Sequence, residues 1–194
     1  NLINKIIDMA FAMLMLRILG DADAGYYYLA VVIVGWFDIF TNFGLNTLVT
    51  RDVARDRQAA NRYLSNTLIA RLGLWVASLP ILGVFFLVRQ VSMPLNARTM
   101  LAIGLFLVGL LPSNMSQSLS AVFNAFERME LPASVTTLTT LLKVTLGTLM
   151  LFVGGGFVGL AAVSIVVNLA TLLILYLLLR RHLFRPHYEC DAAF

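Results

Sequence analysis

Six apolar runs, most of them close to the length of a membrane-spanning helix, follow one another in this chain with little polar sequence between them. A helix needs roughly 20 apolar residues to cross a hydrocarbon layer of about 30 Å. The runs fall at about 4–19, 25–45, 64–88, 100–123, 133–153 and 157–179. In hydrocarbon each backbone polar group must be bonded within its own segment, so such runs fold as helices. The expected fold is all-α, a polytopic transmembrane bundle of about six helices forming a single domain over 1–194. Short connections make successive helices antiparallel neighbours. Charged residues are only 12% of the chain, against about 25% in a soluble domain, and the mean hydropathy is +0.87. Asp8 interrupts the first run, which argues against a signal peptide. Because the first residue is Asn1, the chain is expected to be a fragment of a longer protein.

The longest connection, 46–63, carries Arg51, Arg55, Arg57 and Arg62 and reads as an amphipathic helix at the membrane surface. If that segment is cytoplasmic, its side also holds Arg128, Arg180, Arg181 and Arg185, eight arginines in all. The opposite side holds three, Arg17, Arg89 and Arg98. The positive-inside bias then places both termini in the cytoplasm, in a cytoplasmic or plasma membrane. An acidic turn at 21–23 and the glycine turn Gly154-Gly155-Gly156 fall outside. Pro80 and Pro112 lie within runs and predict kinks.

Soluble-enzyme signatures are absent: no phosphate loop, no zinc spacing, no nucleophile–base set that one surface could hold. No enzyme, cofactor or metal is expected. His182 and His187 read as solvated tail residues, and the single cysteine, Cys190, excludes an intrachain disulfide. No basic face interleaved with aromatics supports nucleic-acid binding. What stands out is polar residues at helical spacing inside the runs. Asn4 and Asp8 are one turn apart, and Asp38, Asn42 and Asn46 fall at i, i+4, i+8. Thr67, Arg71 and Ser78 share a face, as do Ser113, Gln117, Ser120 and Asn124, and Thr136, Thr140 and Lys143. A charge facing lipid costs at least about 2.5 kcal/mol, so these stripes should point inward. The competing reading is that hydroxyls and amides merely join helices, at about 0.6 kcal/mol per bond. Asp38 and Arg71 lie at matched depth on consecutive runs and are expected to interact. Lys143 lies ten residues into its run, about 15 Å deep. It is expected to meet an anionic substrate, or else to pair with Asp8 or with helix-end carbonyls. Asn114-Met115-Ser116 matches a glycosylation acceptor but is discarded because it lies inside a run.

With Arg17-x-Leu19-Gly20, Gly25-Tyr26, Phe43-Gly44-Leu45, Arg51 and Arg55, followed by Asn124-Ala125-Phe126-Glu127-Arg128, Lys143 and Gly159-Leu160-Ala161, the chain resembles the polysaccharide biosynthesis proteins. These are the lipid-linked oligosaccharide flippases of the multidrug/oligosaccharidyl-lipid/polysaccharide exporter superfamily. The resemblance covers the whole chain and implies an architecture of twelve to fourteen helices in two lobes around a central cavity, of which this sequence is most of the N-terminal lobe. It implies cationic cavity residues that hold a lipid pyrophosphate and sugar. Arg71 and Lys143 are the residues here that can do so, with Asp38, Asn42, Gln117 and Thr140 as further substrate-binding candidates and Asp8 and Asp38 as ion-coupling candidates.

The function expected is alternating-access transport of a lipid-linked oligosaccharide or polysaccharide precursor, with membrane lipids and other cell-envelope assembly proteins as partners. The alternatives are a multidrug/cation exporter of the same superfamily, for which Asp8 and Asp38 speak, a membrane glycosyltransferase or polymerase, and a non-transporting scaffold. The glycosyltransferase reading lacks a large extramembrane loop carrying catalytic side chains.

Overall fold

The computed structural model describes residues 2–92 and 96–183, so Arg185, His187 and Cys190 lie outside the described residues. Among those residues the fold is all-α: α1 (Leu2–Asn42), α2 (Leu45–Arg55), α3 (Ala60–Ser92), α4 (Ala97–Ala125), α5 (Glu130–Phe152) and α6 (Gly156–His182). Five of these helices are long and apolar enough to cross a membrane.

The first two expected runs are the two arms of α1, broken only at Gly20 (φ 74°, ψ 172°). That backbone region is essentially restricted to glycine. The expected acidic turn at 21–23 is therefore corrected: these residues are helical, and the chain reverses at Gly20 itself. Asp21 and Asp23 open the second arm, where carboxylates complement the positive end of the helix dipole. The contacts show the reversal. Asp8 meets Lys143 and Phe11 meets Gly147, so the first arm runs parallel to α5. Tyr27 stacks edge-on against Phe106 and Asn42 bonds Gln117, so the second arm runs parallel to α4. Helix α5 opposes α4, because α6 runs parallel to α4, with Phe157 near Ile103 and Leu175 near Phe123, and antiparallel to α5 across the glycine turn.

The expected surface helix 46–63 is also corrected. Only α2 is separate; Asp56 accepts from the backbone N–H groups of Gln58 and Ala59, and α3 begins at Ala60. Gly44, left-handed at φ 74°, makes the corner between α1 and α2. Helix α2 is amphipathic as expected: Val49 and Val53 are buried, whereas Arg51 and Arg55 are exposed.

Helix α4 is the axis of the bundle and packs on α1, α2, α3 and α6. Half of its most apolar window is buried inside the bundle, against 22% or less for the other spans. One apolar cluster joins α2, α3, α4, α5 and α6 at one end, around Val49, Leu64, Val122, Phe123 and Leu179. A second joins the second arm, α3, α4 and α6 at the other end, around Ala30, Ile103 and Phe157. Large apolar side chains cover the outside instead, among them Trp36 (71% exposed) and Phe43 (83%), as expected for helices solvated by lipid. Arg51, Arg55, Arg57, Arg128, Arg180 and Arg181 gather at the end marked by the first cluster.

Both connections after α4 are closed by backbone geometry. Gly154 (φ 82°) ends α5 in a motif where Gly155 N–H donates to Met150 O at 2.9 Å and Gly154 N–H to Leu151 O at 3.1 Å. The same pattern ends α4, with Arg128 N–H donating to Phe123 O at 3.0 Å, but the left-handed residue is Glu127 (φ 61°).

Candidate functional site

Arg71 is the largest fully buried side chain among the described residues. Its helix α3 packs on α4, α2 and the second arm, which deliver side-chain oxygens from Asn42 and Asn46 and a backbone oxygen from Asn114. Nη2 donates to Asn42 Oδ1 at 2.9 Å and Asn46 Oδ1 at 2.6 Å, and Nη1 donates to the Asn114 carbonyl. The amides are cross-bonded. Asn42 Nδ2 and Asn46 Nδ2 donate to Gln117 Oε1 at 2.7 and 3.0 Å, and Asn114 Nδ2 donates to Thr41 Oγ1 at 2.7 Å. The orientation of the Asn42 and Asn46 amides follows from Arg71, which only donates, so their oxygens must face it. Three predicted site residues, Arg71, Asn42 and Gln117, are thus brought into one network.

Asp38 lies one turn before Asn42. Its Oδ1 is buried without a hydrogen-bond partner among the described residues. The guanidinium of Arg71 acts on it electrostatically through space. What the matched-depth argument missed is that Asn42 and Asn46 are the groups that bind the guanidinium directly.

Lys143 pairs with Asp8, Nζ to Oδ1 3.2 Å, with both side chains nearly half exposed. Lys143 and Asp38 also line one cavity of about 350 Å³ between the second arm, α4 and α6, together with Ser113, Ser164 and Asn168. The pairing with Asp8 that the sequence left open is therefore present, and it leaves the ammonium at the cavity wall. Thr140 stands apart: its hydroxyl donates to Thr136 O at 2.8 Å. Thr136, Thr137 and Thr139 bond their own helix in the same way, so the α5 hydroxyls do not require a wet surrounding.

Asn114, Thr41, Trp75 and Asn168 are functional candidates that sequence reasoning missed. Pro112 lacks an N–H, which frees a carbonyl on the preceding turn of α4. The carbonyls flanking that point are held from outside: Trp75 Nε1 donates to Leu107 O at 2.8 Å and Asn168 Nδ2 to Gly109 O at 3.0 Å. Irregular backbone at membrane depth is tolerated where neighbouring helices supply such partners.

No metal-binding cluster of His, Cys, Asp or Glu occurs among the described residues. No curated protein and no solved structure matches the chain. The family model described as polysaccharide biosynthesis protein matches residues 1–192. A multi-pass helical bundle with a polar, cationic interior, matched over nearly its whole length, establishes that the chain belongs to the polysaccharide biosynthesis protein family.

Proposed function

We propose that this chain is one lobe of a transporter that turns a lipid-linked oligosaccharide, or a related glycolipid precursor, across the cytoplasmic membrane by alternating access. The carrying observation is the environment of Arg71: fully buried, and held directly by neutral oxygens from Asn42, Asn46 and Asn114. Amides orient a guanidinium without cancelling its charge. The guanidinium charge, which Asp38 faces only through space, then acts in a low-dielectric setting over longer range than in water. Lys143 adds a second cation at the wall of the neighbouring cavity. A diphosphate linked to sugar supplies the matching negative charge, and guanidinium and ammonium groups both bind phosphate. In this reading both ends of the chain are cytoplasmic, because the arginine-rich end of the bundle is the inner one. A second lobe completes the cavity, and other envelope-assembly proteins hand over or receive the substrate.

A second reading, a cation exporter, is favoured by the unpartnered Asp38 oxygen. One experiment separates the two. Full-length protein is reconstituted into phospholipid vesicles with either a lipid-linked oligosaccharide or a lipophilic organic cation. Movement of the glycolipid is read as lectin accessibility, and movement of the cation as dye uptake. Accelerated glycolipid exchange without cation uptake is expected. Cation uptake without glycolipid exchange overturns the flippase reading.

A further inference from the structure

A cleft of about 440 Å³ lies between α2 and α4 at the arginine-rich end of the bundle. That is the size of a small-molecule site. Its α4 wall is the Gln117, Ser120 and Asn124 face, and its α2 wall carries Asn46, Thr47 and Arg51. Two one-sided helices produce it. Val49 and Val53 draw α2 onto the apolar cluster, and the Thr50 hydroxyl, which donates chiefly to Asn46 O on its own helix at 2.9 Å, also lies 3.3 Å from Ala121 O of α4. The polar faces of α2 and α4 are left opposite each other. No carboxylate lines the cleft among the described residues.

The groups in it are of two kinds. Asn46 and Gln117 are already engaged with each other at 3.0 Å, and Asn46 also holds Arg71. The side chains of Thr47, Ser120 and Asn124 have no hydrogen-bond partner among the described residues. Hydroxyls and amides both donate and accept, which is what a ring of sugar hydroxyls requires. Arg51 stands at the rim, 66% exposed; its Nε meets Asp52 at 2.9 Å, and its two terminal amino groups remain for an anion. We propose that this cleft binds the sugar-phosphate headgroup of the substrate before the headgroup enters the Asp38–Lys143 cavity. The hydroxyls dock on Thr47, Ser120 and Asn124, and the phosphate docks on Arg51. The proposal rests on the flippase reading for its physiological ligand. Its shared inner wall, Asn46 and Gln117, places a docked headgroup one side chain away from Arg71.

The test uses full-length protein and N-acetylglucosamine 1-phosphate as a soluble probe, with inorganic phosphate as competitor, in equilibrium dialysis. Saturable binding is expected, with phosphate at least tenfold weaker as a competitor. The combined Thr47→Ala, Ser120→Ala, Asn124→Ala variant should bind at least tenfold more weakly. Should that variant fold poorly, Arg51→Gln replaces it and should show the same loss for the sugar phosphate. Absent binding, equal binding by wild type and variant, or phosphate competing as well as the sugar phosphate overturns the proposal. The lipid-borne source is read separately. In vesicles carrying lipid-linked oligosaccharide, the variant should raise the half-saturating substrate level and leave the maximal rate unchanged, and the opposite split overturns the docking role. Wild type that binds the soluble probe but moves no glycolipid overturns the transport reading and leaves the cleft standing. Wild type that moves glycolipid but fails the dialysis test does the reverse.

Discussion

A guanidinium in the middle of an apolar bundle is stable only if its donors and the groups around it are paired. Arg71 meets that condition at its two terminal nitrogens, through oxygens from Asn42, Asn46 and Asn114, whereas its Nε has no partner among the described residues. Removing the side chain strands Asn46 Oδ1, while Asn42 Oδ1 keeps Asn46 Nδ2 and the Asn114 carbonyl keeps Ser118 Oγ. An unsatisfied buried polar group costs about 1–3 kcal/mol. Arg71→Met is therefore expected to lower stability by about 1–3 kcal/mol, read as a fall in melting temperature in detergent. A melting temperature equal to wild type would show that the network contributes nothing to the fold. Asn42, Gln117 and Arg71 were legible because each repeats with other polar residues at helical spacing. Asn114 was not, because it lies off the Gln117 stripe, on a side of α4 that faces a partner only because α4 is surrounded. Asp38 and Arg71 were placed at equal depth from helix ends. Such a measure is good to about one turn, and one turn is the distance from Asp38 to Asn42, which binds the guanidinium instead.

At the scale of elements, the helix boundaries were nearly all legible, since apolar runs mark them and Gly44 and Gly154 punctuate them. The first reversal was placed in the wrong residues, because Asp-Ala-Asp resembles a loop by composition. At a helix start the same carboxylates are stabilising, so composition alone cannot separate the two. The reversal depends on Gly20, whose conformation a β-carbon strains by about 1–3 kcal/mol. Gly20→Ala is expected to loosen the first arm from α5, seen as faster hydrogen exchange over 5–19 with exchange in α4 unchanged. Uniform exchange throughout the bundle, equal to wild type, would remove the glycine from this role. Close packing supports the same docking from the other side: a β-carbon at Gly147 would sit 2.7 Å from Phe11 Cζ. The pairing of Trp75 and Asn168 with the α4 backbone near Pro112 was hidden from the sequence, because it depends on which faces of three helices meet.

For the whole molecule, the proposed orientation rests on the exposed apolar surface and on the arginine-rich end, which the positive-inside bias assigns to the cytoplasm. A cysteine at Asn61 is expected to react with an impermeant maleimide only from the cytoplasmic side, and one at Ala22 only from the opposite side. Labelling of the two sites from the inverse sides would reverse the orientation and with it the loading side of the cleft. The helical class with membrane-length spans and the family were readable from runs and motif order. The role of Lys143 was not, because a lysine beside both an aspartate and a cavity satisfies a structural and a functional reading alike. The flip rate of lipid-linked oligosaccharide in reconstituted vesicles separates them when Lys143→Gln, Lys143→Arg and Asp8→Asn are compared at equal protein density. The account predicts that Lys143→Gln abolishes flipping, Lys143→Arg retains part of it, and Asp8→Asn retains more than Lys143→Gln does. Normal flipping by Lys143→Gln, or equal losses in Lys143→Gln and Asp8→Asn, would contradict it.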